Sequence, residues 1–106
     1  MAKYMLKASY TVEGTKGLIK EGASARGAAV KKTIEALGGR MECFYYTFGD
    51  PDAFAIVDVP DAVTIAAVSL AMNATGGAHV STTVLLTPEE IDQAAKKSVS
   101  YRASGA

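Results

Sequence analysis

The chain has 106 residues, 49% hydrophobic and 21% charged, a composition that fits one globular domain and excludes a disordered chain. Eleven basic residues balance eleven acidic ones, so no basic excess would draw it to nucleic acid or to an anionic membrane. Cys43 is the only cysteine, which rules out an intrachain disulfide and a multi-cysteine metal site.

Residues 4–11 are rich in β-formers and come directly after the start, with no apolar stretch of the secretory kind, so a reduced, cytoplasmic setting is expected. Glu13-Gly14-Thr15 is a turn and helix-start signal. Over residues 16–37 apolar residues recur at helical spacing: Ile19, Ala23, Val30, Ile34 and Leu37 share one stripe, with Lys20, Ser24, Lys31 and Glu35 opposite. Gly22 and Gly27 each weaken this helix by about 1 kcal/mol relative to alanine, which predicts a loosened or bent middle. Gly38-Gly39 ends it.

Residues 40–48 and 53–59 read as two strands joined by a short hairpin loop, Gly49-Asp50-Pro51. Pro60-Asp61 opens a second helix, with Asp61 as its N-cap, running to about residue 73 before Thr75-Gly76-Gly77 stops it. Residues 80–86 form a fourth strand. Thr87-Pro88-Glu89-Glu90 is a strong helix start: Thr87 caps, Pro88 takes the first turn and Glu90 completes a capping box. That helix is expected over 88–97, so the single domain spans 1–97 and residues 98–106 form a small, polar tail. The longest apolar run, residues 63–72, is broken by Thr64 and Ser69 and is too short to span a bilayer.

The order β-α-β-β-α-β with a terminal helix predicts a ferredoxin-like α+β fold, with a four-stranded antiparallel sheet and two helices on one face. If the hairpin loop has three residues, Phe48 pairs near Asp52. Phe44, Tyr46, Phe48, Phe54 and Ile56 then share one face, and Cys43, Tyr45, Ala53, Ala55, Val57 and Val59 the other. Alanines suit the face under the helices, and Cys43 there would be a small buried residue. The aromatic face then points away from the helices as a contiguous apolar patch. Its simplest cover is the same face of a second copy, so a homodimer or higher homo-oligomer is expected.

Several stretches fall in a telling order: Tyr10-Thr11 with Gly14 and Lys16-Gly17, then Ala36-Leu37-Gly38-Gly39 and Tyr45-Tyr46. Gly49 with Asp52, Asp58 with Pro60-Asp61, and Thr87-Pro88-Glu89-Glu90 complete it. In this order and spacing the chain resembles the GYD-domain family of small bacterial and archaeal proteins, up to Glu90. The resemblance implies a ferredoxin-like domain that pairs as a dimeric α/β barrel; it implies no reaction. The eponymous Gly-Tyr-Asp segment reads Gly49-Asp50-Pro51-Asp52 here, with Pro51 where the tyrosine is expected. Gly49 and Asp52 keep the motif turn, while any role of that tyrosine has no bearer in this chain.

Residues able to carry chemistry are few. His79, the only histidine, sits beside Gly76-Gly77 at the start of the fourth strand, as a general base or as polar surface. Asp58 falls on the aromatic face with Glu42 beside it, either as an acid–base pair or as a rim with Lys7 as partner. Tyr46 projects from the same face, to orient a ligand or to pack an interface. Arg26, near the helical stripe, binds an anion or lies along the surface. Asp50 and Asp52 supply too few oxygens for a cation site, and turn formation accounts for Asp50. No nucleophile–base set, dinucleotide fingerprint or zinc pattern is present, so no cofactor is expected.

Three functions compete. The first is a homo-oligomeric module binding a small, partly apolar molecule between sheets, lined by Lys7, Ser9, Phe44, Tyr46, Phe54, Ile56 and Asp58. The second is a cofactor-free isomerase or oxygenase using the same space, with His79, Tyr46 or Asp58 as acid or base. The third is a structural subunit of a larger assembly.

Overall fold

The computed structural model describes residues 1–105. Its elements run β1 (Ala2–Tyr10), α1 (Val12–Glu21), α2 (Ala23–Ala36), β2 (Arg40–Tyr46), β3 (Ala53–Val59), α3 (Ala62–Ala74), β4 (Ala78–Leu85) and α4 (Pro88–Ala95). The four strands form one antiparallel sheet in the order β2-β3-β1-β4, the ferredoxin-like arrangement expected from the sequence.

The first helical segment is two helices. Gly22 adopts φ 97°, a value that strains any side chain, and it both ends α1 and starts α2. The break removes the common stripe. Val30 and Ile34 turn to the core as expected, but Ile19 is 80% exposed and Leu37 is also exposed. In α1, Leu18 rather than Ile19 faces the sheet side.

Register decides the rest. The last β2–β3 pair is Tyr46 with Ala53, so the connecting loop is residues 47–52, twice the length expected. Within it the Asp52 carbonyl accepts from Thr47 N at 2.7 Å and Phe48 N at 3.0 Å, and Thr47 Oγ1 donates to the Pro51 carbonyl. Changing the loop from an odd to an even number of residues inverts β2 relative to β3. Phe44 and Tyr46 therefore join Ala53 and Ala55 on the helix-covered face, and Tyr45 joins Phe54 on the other, their ring centroids 5.8 Å apart. Cys43 pairs with Ile56 beyond a bulge at Glu42, half-buried on the face the helices leave free.

The core lies between the sheet and α2 and α3. Ile34, Val57 and Val59 are fully buried there, with Leu6, Ile65, Val68 and Val80 around them. Burying each such side chain stabilises the fold by about 1.5–3 kcal/mol. Asp61 starts α3 as expected, accepting from Thr64 N at 2.8 Å, and Thr87 with Glu90 forms the expected capping box at α4. Every residue from Leu86 to Gly105 is exposed, so α4 and the residues C-terminal to it form an arm beside the body. The arm makes the chain long, 55 Å on its major axis with a radius of gyration of 16.7 Å, against roughly 13 Å for a compact chain of this length.

Candidate functional site

Small residues create the main cavity. On the sheet, Ala8, Ala53 and Ala55 lie side by side under the helices; above them α1 contributes Gly14 and Gly17. Side chains this short cannot meet across the gap, and the space left measures about 350 Å³. Its walls are Leu6, Leu18, Val30, Phe44, Met72 and Val80, and apolar walls of this kind suit an apolar guest. The space continues past Arg26, Val30, Met72 and Thr75 into a groove of about 390 Å³ between α2 and α3, where Ala67 and Ala71 are again too small to reach across.

The roof is pinned at one end. Thr11 caps α1 by accepting from Gly14 N at 3.1 Å, while its own N–H donates to the Gly77 carbonyl at 3.1 Å and its hydroxyl to the Gly76 carbonyl at 2.9 Å. Gly14 presses directly on Gly77: a Cβ at position 14 would stand 1.7 Å from the Gly77 carbonyl oxygen. Gly76-Gly77 is thus a seat for α1. The opposite end of α1 is the Gly22 break, and no residue of α1 is buried.

Polar groups gather at one side of the cavity. Tyr46 donates its hydroxyl to the Ala23 carbonyl at 3.1 Å, and the Tyr10 hydroxyl lies beside it. Burial, reinforced by the neighbouring Tyr46, pushes the Tyr10 phenol up to about 12, with Arg26 pulling the other way. Arg26 Nε lies 3.6 Å from Glu21 Oε1, both side chains nearly half exposed. The arrangement offers a neutral phenol, a guanidinium and a carboxylate at the rim of an apolar space. It can hold and orient a molecule with one polar end.

Asp52, the motif-turn aspartate, has a structural post. Its carboxylate accepts from Tyr10 N at 2.8 Å and its N–H donates to the Ala8 carbonyl at 2.9 Å, which ties the hairpin loop to the end of β1. Gly49 and Asp50 lie exposed at the tip.

The cavity is not where the alternation pattern puts it. Of the residues expected together, Lys7, Ser9, Phe54, Ile56 and Asp58 do lie on the helix-free face, through the pairings Lys7–Phe54, Met5–Ile56, Lys3–Asp58 and Ser9–His79. Phe44 and Tyr46 lie on the other, because the six-residue loop inverts β2. Asp58 is buried and held by Arg40 at 3.2 Å and Lys3 at 3.8 Å; Lys3 also pairs with Glu42. Lys3 and Arg40, not Lys7, partner this carboxylate, and Lys3 bridges the two acids. His79 is exposed at the other end of the same face, about 20 Å away by strand rise from Lys3 to Ser9. His79, Asp58 and Tyr46 are therefore not one constellation.

Sequence reasoning misses Glu21, Leu18 and Met72 as site residues. The available signal is the coincidence of Ala8, Gly14, Gly17, Ala53 and Ala55, small residues at positions the fold stacks. Among the described residues no group of three or more His, Cys, Asp or Glu side chains is placed to hold a metal ion, and no helix is long and apolar enough to cross a membrane.

The sequence model of the GYD domain matches residues 4–95, and the chain belongs to that family. No curated protein and no solved structure matches it.

Proposed function

We propose that this GYD domain protein is a homo-oligomeric binding module in which each subunit holds one small, mostly apolar molecule between its sheet and its helices. The cavity of about 350 Å³ carries this reading: it lies in the size range of ligand pockets, is lined by aliphatic and aromatic groups, and has its few polar groups on one side. The guest sits under the helices rather than between two sheets, because Phe44 and Tyr46 turn that way.

The helix-free face serves assembly. Met5, Tyr45, Phe54, Ile56 and Leu85 form its apolar part, and the charges at its Asp58 end already pair among themselves. A second copy can cover that face with the Asp58 cluster already paired, leaving Lys7 beside Phe54 as the charge it must accommodate, and a chain of zero net charge adds no general repulsion. The single free cysteine suits a reducing, cytoplasmic compartment.

An acid–base enzyme has less support. His79 and Asp58 belong to the other face, and a phenol near 12 is a poor base at neutral pH.

Native mass spectrometry of the chain purified from its own host tests both halves of the reading. A dimer or larger oligomer carrying one small molecule per chain is expected. A ligand-free monomer at micromolar concentration contradicts it.

A further inference from the structure

Resting on the cavity reading above, we propose that the guest is a small apolar carboxylate, with its hydrocarbon part among Leu18, Val30, Phe44 and Met72 and its carboxylate on Arg26. Among the described residues Arg26 is the only cationic side chain lining the cavity, and it stands where the space passes into the groove between α2 and α3. Its guanidinium makes no hydrogen bond among the described residues. Its one ionic neighbour, Glu21, stands at 3.6 Å, outside the 2.7–3.2 Å range of N–H···O bonds. Arg40 provides the contrast, since its guanidinium donates to Asp58 at 3.2 Å.

A guanidinium fork with open donors fits a carboxylate through two parallel bonds, and such charge-assisted bonds are roughly twice as strong as neutral ones. Burial and the Asp52 charge both disfavour an ionised Tyr10, so an anion is accommodated here only beside the Arg26 guanidinium. Tyr10 and Tyr46 are phenols, the Asp52 carboxylate is engaged with Tyr10 N, and α2 starts beside Tyr46 with no acid in its first turn and no side-chain cap. The positive end of that helix adds to Arg26. Glu21 is the one competitor, and it is exposed enough to swing into water when a guest carboxylate arrives.

The test is a calorimetric titration of the full chain with phenylacetate and with its neutral counterpart phenylacetamide, repeated on Arg26→Gln, Arg26→Lys and Glu21→Gln. Phenylacetate should bind at least tenfold more tightly than the amide. Arg26→Gln should erase that preference while leaving amide binding in place, and Arg26→Lys, which keeps the charge but not the fork, should reduce it in part. Glu21→Gln should tighten phenylacetate severalfold by removing its competitor. Thermal denaturation checks that each variant folds, and Arg26→Lys carries the comparison if Arg26→Gln does not. Equal binding of acid and amide by the unmodified chain overturns the carboxylate assignment and leaves the cavity reading standing. Binding of neither probe overturns both.

Discussion

The two faces of the sheet come from the same four strands and end in opposite conditions. On the covered face, Tyr4, Leu6, Val57, Val59 and Val80 are packed by helices, yet a hollow remains where Ala8, Ala53 and Ala55 meet Gly14 and Gly17. On the free face, Met5, Tyr45, Phe54 and Ile56 are large, and none of them belongs to the core that α2 and α3 pack against. Size and cover are mismatched in opposite senses. Where cover exists the residues are too small to use it all, which leaves room for a guest. Where residues are large the cover must come from outside, which asks for a partner. The ion pairs differ in a smaller way: Asp58 on the free face is held by both Arg40 and Lys3, whereas Arg26 at the cavity has Glu21 at 3.6 Å and, among the described residues, no hydrogen bond.

Equal truncations on the two faces should have unequal effects. Ile34→Ala, at a fully buried site against the covered face, should cost about 2–5 kcal/mol in denaturant titration. Ile56→Ala, on the free face, should cost a loss that grows with protein concentration, because its burial depends on assembly. Equal, concentration-independent losses would erase the distinction. Phe54→Asp sharpens it further. It replaces an aromatic ring of the proposed interface with a carboxylate beside Lys7, and light scattering should show the oligomer split.

The covered face is partly legible in the sequence. Alternation in β3 and its alanines places Ala53, Ala55, Val57 and Val59 under the helices, and their burial agrees. β2 is not legible to the same degree, because its facing depends on the hairpin loop. The Gly49-Asp50-Pro51 signal marks the turn but not its ends; Thr47 and Asp52 close it through backbone bonds that no local propensity announces. That one change of parity moves Phe44 and Tyr46 to the helix-covered face, where Phe44 lines the cavity, and Tyr45 and Cys43 to the other. Gly22 is recognisable as a weak point in the first helix, but a weak point does not specify φ 97° or the new direction of α1. The capping box at Thr87 is fully legible because capping is local: two side chains, three residues apart, satisfy each other's backbone.

Smaller effects probe the two regions more finely. Tyr10 has its folded-state pKa raised from 10.0 to about 12, so the fold favours the neutral phenol. Its contribution to stability is full below pH 10 and is lost as pH rises toward 12. Tyr10→Phe should flatten that alkaline loss in a series of melts; an unchanged profile would place the phenol in water instead. Thr87→Ala should weaken α4 by about 1 kcal/mol, yet this helix stands in the exposed arm. Hydrogen exchange should therefore accelerate at the Glu90 and Ile91 amides while the global denaturation midpoint stays put.

The most direct test of the central claim is a methyl-resolved NMR titration of the full chain with phenylacetate. Leu18, Val30 and Met72 line the covered cavity, and Met5 and Ile56 report from the free face. Progressive, saturable shifts at Leu18, Val30 and Met72, with Met5 and Ile56 unmoved, are the expected result. Shifts confined to Met5 and Ile56 would place the guest between sheets and contradict the account.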